Sequence, residues 1–465
     1  MEPASLAFRA HARRALADEE LQRALARLRR NFQERRARAV AALPEFEELR
    51  RAGEAIRDQV LARLDHHLEV FVARARAAGT VVHVAETAAD ARRIVLDLLR
   101  SRGVRLVTKS KSMVAEEVGL AEAVEDAGIA RVETDLGEYI IQLAHEPPSH
   151  LIGPAVHMTE ARIARLFAEA HGGPPEREPE RLVAQARRVL RRKYLDAGAG
   201  ITGANFLVAE TGSIITVTNE GNAELTQGLP PLHIVVTGIE KLVPTMEDAF
   251  TLLRLLARSA TGQEFATYTT VITGPRRPGD RDGPEEMHLV LVDNGRTALL
   301  GSRLQPMLRC IRCSACMNHC PVYLAVGGHA YGWTYVGPMG AVLTPALAGL
   351  ERTWPLPEAS TFCGRCAEVC PVRIPLPDLM RVWREEAFAR RLPPATQRHG
   401  LRLWAFLARR PALYRAAFAP AVRLLARLGG RRRRLRRLPL AGGWTAARDL
   451  PAPEGPTFLA RVRRR

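Results

Sequence analysis

The chain has few lysines, few aromatic residues and no long apolar run, and each shortage narrows what it can be. Its 465 residues include 68 basic residues, nearly all arginine, and only 5% aromatic residues. No run approaches the ~20 apolar residues that a membrane-spanning helix needs, and the first residues turn charged too early for a secretory signal. With 47% hydrophobic and 25% charged residues, the composition is that of a globular protein with an ample core. We therefore expect a cytoplasmic protein of about three domains.

The net charge of +18 is concentrated in the last 75 residues. Residues 391–465 contain 19 arginines and two acids, a net charge of +17, which leaves +1 for the rest of the chain. Pro411 and Pro420 are expected to split this tail into short helices. The predicted apolar face of these helices consists of Leu407, Tyr414, Phe418, Val422 and Leu425.

Two interpretations of the basic tail stay open. An apolar face among arginines suits peripheral contact with the inner face of an anionic membrane, or with an acidic partner. The alternative is a solvated extension without a binding role. Nucleic-acid binding is not expected, because no RNA-binding aromatic motif accompanies the charge.

Cysteine is absent before residue 310 and after residue 370, and all seven cysteines lie between them. Such clustering in a large chain indicates metal binding rather than a disulfide framework. The spacing is typical of iron–sulfur clusters, whereas zinc, the main alternative, favours four ligands in two separated pairs. The two motifs are Cys310-x2-Cys313-x2-Cys316-x3-Cys320-Pro321 and Cys363-x2-Cys366-x3-Cys370-Pro371.

The two motifs form an internal repeat, and their alignment places Ser360 opposite Cys310. In two-cluster ferredoxins the cysteine before the proline ligates the other cluster. The predicted ligands are then Cys310, Cys313, Cys316 and Cys370 for the first [4Fe–4S] cluster, and Cys320, Cys363 and Cys366 for the second. The second site therefore has a non-cysteine ligand, an open iron or only three irons. We favour four irons with an incomplete shell, and a serine without a ligand role at Ser360.

Strands and helices alternate ahead of the cysteines, and this pattern predicts a parallel α/β sheet. Helices are expected over residues 176–196 and 246–260, and a helix with a packed apolar stripe follows Pro377. The predicted organisation is an N-terminal helical region (1–78), an α/β domain (79–300), an α-helical ferredoxin-type two-cluster domain (301–390) and a basic C-terminal extension (391–465).

Polar stretches of the α/β region are candidate binding sites, and each also has a simpler structural interpretation. Turns at 210–214 and 218–222 suit a carboxylate-binding or catalytic rim, but hairpin turns have the same composition and are favoured. The residues before the predicted helix at Met113 suit either an anion site or ordinary capping with exposed lysines; they are Lys109, Ser110, Lys111 and Ser112. Metal binding is the weaker of two interpretations for a polar loop that contains His145, Glu146, His150 and His157.

In order and over nearly the whole chain, these motifs resemble the lactate utilization protein B family. The matching stretches are VTKSKSMVAEEVGL, TDLGEYIIQLAHEPPSHLIGPAVHMT, GANFLVAETGSIITVTNEGNAEL, CIRCSACMNHCPVY, FCGRCAEVCPVRIPLPDL and GGWTAARDLPAPEGPTF. The resemblance implies a NagB/RpiA/CoA-transferase-like fold for the lactate-utilization domain. It also carries the cluster pattern onto all seven cysteines, including the absent eighth. The arginine-rich run 431–437 is the least similar region, so no family role is transferred to it.

The resemblance further implies work in the oxidation of L-lactate to pyruvate. The protein is expected to carry electrons between companion A- and C-type lactate-utilization proteins and a downstream acceptor. The alternative is an enzyme subunit that itself binds and oxidises a 2-hydroxy acid at the α/β pocket or an open-site cluster. We recognise neither a Rossmann G-x-G-x-x-G motif nor an assembled nucleophile–base motif. Hydride chemistry by this chain alone is therefore not expected, and no catalytic residue is assigned.

Overall fold

The computed structural model of this protein describes residues 2–438, 442, 445 and 448–462. The chain divides into two compact units, Met1–Ala387 and Phe388–Arg465. Parts of the predicted basic extension, including part of its GGWTAARDLPAPEGPTF stretch, lie outside the described residues. The boundaries proposed at 78/79 and 300/301 stay predictions.

The first unit begins with a series of helices, as the apolar periodicity of its sequence predicts. Helical spacing of apolar residues predicts six inward positions in this region. Ile56, Val60 and Leu64 are buried, whereas Leu49, Leu68 and Val72 are half-buried. A π-helical turn, Arg29–Gln33, connects the second and third of these helices. They are α1 (Phe8–Ala17), α2 (Glu19–Leu28), α3 (Glu34–Ala41), α4 (Phe46–Ala62) and α5 (Leu64–Ala77).

Ten strands follow in the described chain and form two sheets. The larger sheet is parallel throughout, in the order β1-β10-β7-β4-β2-β3, and the smaller has the order β8-β5-β6-β9. This arrangement confirms the predicted α/β class. The strands are β1 (Val81–Ala85), β2 (Leu106–Lys109), β3 (Ala130–Glu133), β4 (Ala199–Thr202), β5 (Phe206–Val208), β6 (Ser213–Thr218), β7 (Leu232–Gly238), β8 (Leu242–Val243), β9 (Tyr268–Ile272) and β10 (Glu286–Val292).

Helices cover both faces of the parallel sheet, because its central strands are apolar on both sides. One buried apolar cluster contains Val95, from the helix after β1, together with Val107 and Ile234 of the sheet. The other contains Phe71 of α5 together with Val235 and residues of the smaller sheet. The helices predicted over 176–196 and 246–260 are confirmed as α11 and α13. The full set is α6 (Ala88–Ser101), α7 (Met113–Glu117), α8 (Leu120–Asp126), α9 (Leu136–Leu143), α10 (Glu160–His171), α11 (Pro179–Asp196), α12 (Asn222–Gly228) and α13 (Met246–Ala260).

The letters G-x-G-x-x-G do occur in the sequence, at Gly198–Gly203, so the expectation that they are absent is wrong. These residues form β4 and lead into β5, rather than joining a strand to the N-terminus of a helix. A Cβ atom on Gly200 would lie 1.8 Å from the carbonyl oxygen of Thr226 on α12. This glycine therefore permits close packing of α12 on the sheet, and the dinucleotide-binding geometry is not formed there.

The cysteine-containing part of the first unit consists of short helices and loops. The helix predicted after Pro377 is present, with its stripe of Leu379, Met380, Trp383 and Ala387 buried. Short 3-10 turns occur at Ser5–Ala7, Ile239–Lys241, Thr297–Leu299, Gln305–Arg309 and His329–Tyr331. The helices are α14 (Ala315–Asn318), α15 (Tyr323–Val326), α16 (Gly337–Ala348), α17 (Leu350–Thr353), α18 (Pro355–Glu358), α19 (Arg365–Glu368) and α20 (Leu376–Ala389).

The second unit contains the basic helices and a small hairpin. Its elements are α21 (Ala395–Ala408), α22 (Pro411–Leu428), β11 (Arg434–Leu435), β12 (Leu450–Pro451) and α23 (Phe458–Val462). Pro411 begins α22 as expected, but Pro420 lies inside that helix and does not split it. One proline removes a single hydrogen bond, and the 18-residue helix tolerates this loss. None of the helices in the described chain is long and apolar enough to cross a membrane.

Candidate metal centres

Two cavities gather the cysteines, and each motif contributes to both of them. The last cysteine of each motif lies with the other motif's cavity, as the ferredoxin pattern predicts. The first cavity is lined by the thiols of Cys310, Cys313, Cys316 and Cys370. The second cavity is lined by Cys320, Cys363 and Cys366 together with Ser360.

The two cysteine loops have the same backbone conformation. Arg312 and Ser314 have φ values of 63° and 62°, and the residues fifty positions later, Phe362 and Gly364, have 53° and 81°. Non-glycine residues rarely adopt this left-handed region, so three such residues indicate a backbone fixed by its surroundings. Each loop then continues into a single helical turn, α14 or α19. The repeat is therefore structural, and it places Ser360 at the position of Cys310.

Ser360 faces the second cavity, where a fourth cysteine would stand in a complete motif. Its hydroxyl oxygen accepts a hydrogen bond from the backbone N–H of Phe362 at 3.1 Å. This contact supports the structural interpretation of the serine, because it holds the turn that precedes Cys363.

The donor set of both cavities is thiol sulfur, buried or half-buried at every cysteine except the exposed Cys363, and it fits iron–sulfur clusters. Burial raises the pKa of the Cys370 thiol to about 11 and that of Cys366 to about 12. Positively charged iron is what stabilises thiolates in such surroundings, since metal binding displaces the protons. Backbone N–H groups also donate to sulfur, from Ile374 to Cys370 at 3.3 Å and from Tyr323 to Cys320 at 3.5 Å. Such bonds tune cluster potentials.

Half-buried arginines from distant elements hold the backbone of the cysteine loops. Arg50 on α4 donates to the carbonyl oxygen of Cys370 at 2.8 Å and 3.0 Å. Arg384 on α20 donates to the carbonyl oxygen of Pro357 at 2.9 Å and lies 4.1 Å above the ring of Phe362. The sequence analysis did not predict a role for these two residues. The one indication in the sequence is that each arginine lies on a helix with a buried apolar face.

A second arginine network lies between the first cysteine cavity and the parallel sheet. Arg296 forms two hydrogen bonds with the carboxylate of Glu117, at 2.7 Å and 2.9 Å, and one with Glu240 at 2.6 Å. Arg312 bonds Glu240 at 3.2 Å and stacks 4.7 Å above the ring of Tyr335. Arg312 lies within the first cysteine motif, but its partners are far from it in sequence, so no spacing rule predicts the network.

The polar stretch at the end of β2 divides between two environments. Lys109 is fully buried and its ammonium bonds Glu116 at 2.7 Å and Glu133 at 2.9 Å, so the expectation of an exposed lysine there is wrong. Ser112 caps α7 by accepting a hydrogen bond from the N–H of Ala115, which confirms the capping interpretation. Lys111 has a different place, because its side chain lines a cavity in the α/β region.

That α/β cavity lies at the carboxyl ends of β2, β4 and β7 and has a volume of about 220 Å³. Residues 218–220 and 222 line it, whereas 210–212 lie in the turn of the β5–β6 hairpin and 213–214 begin β6. The hairpin interpretation is thus confirmed for 210–214, and most of 218–222 belongs to the cavity wall. Arg312 and Leu151 line both this cavity and the first cysteine cavity, so the two spaces share a wall.

The histidine loop is occupied by hydrogen bonds within the protein. The ring of His150 accepts from the N–H of Ile152 at 3.0 Å and contacts Asn318 at 2.9 Å. His157 lies 2.7 Å from both the Ser149 hydroxyl and the Glu146 carboxylate. His145 is exposed. These contacts favour the structural interpretation of this loop over a metal site.

Profiles of known families match both parts of the first unit. The LUD domain matches residues 68–292, and a 4Fe-4S dicluster domain matches residues 306–374. Fold and site together define an iron–sulfur protein with an α/β LUD domain. A solved structure of a DUF162 family protein from Deinococcus radiodurans covers 44% of this chain and 98% of its own, at 17% identity and a TM-score of 0.19.

Similarity to curated proteins extends over nearly the full length. Lactate utilization protein B of Lysinibacillus sphaericus (strain C3-41) is 42% identical over 97% of this chain and 95% of its own. The protein of that name from Geobacillus sp. (strain WCH70) is 43% identical over 91% and 90% respectively. The chain belongs to the lactate utilization protein B family, as the sequence motifs predict.

Proposed function

We propose that this chain is the iron–sulfur electron-transfer subunit of a system that oxidises L-lactate to pyruvate. The observation that carries the proposal is the pair of thiol-lined cavities to which both motifs contribute. This arrangement supports two clusters held by one short stretch of chain, the usual design for passing single electrons. The names of the relatives supply lactate utilization as the process.

The electron count agrees with two clusters. Oxidation of L-lactate to pyruvate releases two electrons and two protons, and each cluster, when bound, exchanges one electron. Cys310, Cys313, Cys316 and Cys370 would hold one [4Fe–4S] cluster, and Cys320, Cys363 and Cys366 would hold the other with an incomplete shell. The oxidation itself belongs to the companion A- and C-type proteins. This chain would position the clusters and, through burial and amide donors to sulfur, set their potentials.

The test is anaerobic reduction of the purified, cluster-loaded chain by L-lactate, followed through the visible absorbance of the clusters. We expect bleaching only when the companion A- and C-type proteins are present. Bleaching by lactate with this chain alone would instead favour the second candidate, an enzyme subunit that itself oxidises the hydroxy acid. The α/β cavity next to the first cysteine cavity is the observation that favours this second candidate. No bleaching under either condition would contradict both.

We further propose that the basic helices dock this cytoplasmic protein on the anionic inner face of the membrane, where its electron acceptor lies. Leu403 is 62% exposed and Trp404 56% exposed on α21, and Leu424 is 58% exposed on α22. These exposed residues differ from the predicted face, since Phe418 and Val422 are half-buried. Exposed apolar side chains among arginines suit an anionic lipid surface by charge complementarity.

Co-sedimentation of the full chain with phosphatidylglycerol-containing vesicles tests this docking. We expect binding that decreases with salt and is absent with pure phosphatidylcholine. A Leu403→Ser/Trp404→Ser variant should bind less, and Leu195→Ser on α11, 64% exposed, is the matched control. Equal sedimentation with both lipids, or none with either, would contradict docking on an anionic membrane.

A further inference from the structure

The α/β cavity has a position that is common for ligand sites in this kind of sheet. The chain leaves β2 toward β3 at one edge and leaves β4 toward β7 in the opposite direction, so the strand order reverses between β2 and β4. Ligands of open parallel sheets bind beyond the carboxyl ends of the strands at such a reversal. Ser110, Lys111 and Ser112 follow β2 and line the cavity, as Gly203 and Asn205 do after β4.

Lys241 is a buried lysine in this cavity, and burial lowers the pKa of its ammonium to about 7. The residue is 6% exposed, and its ammonium forms no hydrogen bond or ion pair with any residue of the described chain. The neighbouring Glu240 carboxylate is already bound to Arg296 and Arg312. A buried charge without a partner is costly, and proteins normally pair it. An anionic ligand would supply the partner that the protein does not.

The charged residues on the cavity wall comprise three cations and two acids, so the wall is positive on balance. The Lys111 ammonium donates only to the carbonyl oxygen of Ile152 among the described residues, at 3.0 Å. Of the two acids on the wall, Asp135 caps α9 through the N–H of Glu138, and Glu220 is exposed at the rim. An anion in the cavity therefore meets two lysines that have no carboxylate partner within the described chain.

Neutral groups on the wall also have unused hydrogen-bonding capacity. The hydroxyl oxygens of Thr216 and Thr237 and the amide oxygen of Asn222 are buried and have no partner within the described chain. These residues are 4%, 1% and 4% exposed. Unpaired polar atoms are rare inside proteins, and three around one cavity indicate a polar ligand. Hydroxyl groups suit a ligand that carries an oxygen next to its charged group.

We propose that this cavity binds a small 2-hydroxy or 2-oxo carboxylate, with Lys241 as the principal binding cation and the threonine hydroxyls at the neighbouring oxygen. The choice of this carboxylate class rests on the proposed function, whereas the presence of an anion site rests on the cavity alone. Arg312 forms part of the wall toward the first cysteine cavity, so the bound carboxylate would lie beside the first cluster. The site would thereby bring substrate or product close to the entry point of the electrons.

Calorimetric titration of the cluster-loaded full chain with L-lactate, pyruvate, propionate and chloride tests this proposal. We expect L-lactate or pyruvate to bind at least about tenfold more tightly than propionate, which lacks the second oxygen. Lys241→Met should weaken binding by at least about tenfold, because it removes the charged donor. Lys193→Met, on the exposed side of α11, is the matched control and should bind like the wild type.

Iron content and the thermal midpoint of each variant separate loss of binding from loss of folding. If Lys241→Met fails to fold, Lys111→Met and Thr237→Val provide the same test with smaller changes at the wall. Absence of binding by any of the carboxylates, or unchanged affinity in the folded Lys241 variant, would overturn the proposal. Electron transfer from the companion proteins is measured separately by cluster bleaching, so its failure is distinguishable from failure of this site.

Discussion

The two cysteine cavities are formed by loops of the same backbone conformation, but the residues that surround these loops differ. The first has four thiols, is walled by apolar residues such as Met307 and Val372, and borders the α/β cavity. The second has three thiols and a serine, and its Cys363 is exposed. An internal repeat thus duplicates a ligand scaffold, while the packing around the two copies differs. We expect electrons to enter at the first cavity, which borders the α/β cavity, and to leave from the second, which contains the exposed Cys363.

The largest expected effect is loss of a whole cluster from a single thiol. Cys370→Ser should remove the first cluster, although Cys370 belongs to the second motif, and lower the iron content by about four of eight atoms. The measurement is iron per protein together with electron paramagnetic resonance of the reduced chain. Cys320→Ser is the matched control and should remove the second cluster instead. Loss of the second cluster in the Cys370 variant would show that each motif ligates its own cluster.

A smaller effect, of one iron, is expected from completing the second site. Ser360→Cys restores the thiol that the repeat lacks, so the second cluster should keep four irons on exposure to air. The wild type should lose its incompletely ligated iron and give a three-iron resonance signal.

Ser360→Ala distinguishes the two roles of the serine at this position. It should behave like the wild type if Ser360 only holds the turn through the N–H of Phe362. Faster loss of iron from the alanine variant would instead identify the Ser360 oxygen as the fourth ligand.

Local patterns predicted a large part of this molecule because they act through neighbouring residues. The spacing of cysteines predicted which of them share a cavity, and apolar periodicity predicted the helices α4, α5 and α20. Contacts between distant parts of the chain were not predictable in this way. Arg50 and Cys370 are 320 positions apart, and no spacing rule joins them. Lys241 directly follows Glu240 in the sequence, and only the folded structure shows that this carboxylate binds Arg296 and Arg312 instead.

Arg50 and Arg384 each hold one cysteine loop, so substituting them one at a time tests the stability of each cluster separately. Arg50→Met removes the donors to the Cys370 carbonyl oxygen and should loosen the first cluster, at a cost of about 1–3 kcal/mol. Arg384→Met removes the donor to Pro357 and the stacking on Phe362, and should act on the second. Chelator-induced iron loss, resolved by the resonance signal of each cluster, measures the effect. The same cluster failing first in both variants would contradict this division.

The smallest expected effect is a pH dependence of stability that comes from His150, which contacts the first cysteine motif. Burial lowers the pKa of His150 to about 4, below the ~6.5 of an unfolded histidine. Between these values the unfolded chain binds more protons, so stability falls as the pH is lowered, by about 1 kcal/mol from pH 7 to 5.5. His150 contacts Asn318 of the first motif, and the equivalent residue of the second, Glu368, is paired with Arg365.

The thermal midpoint of the cluster-loaded chain, measured across this pH range, should therefore decrease less steeply in His150→Gln. The exposed His399 provides the matched control, since His399→Gln should leave the slope unchanged. On acidification the first cluster should be lost before the second, despite its fuller set of thiols. Earlier loss of the second cluster would mean that ligand number, rather than the histidine beneath the first loop, determines which site is acid-sensitive.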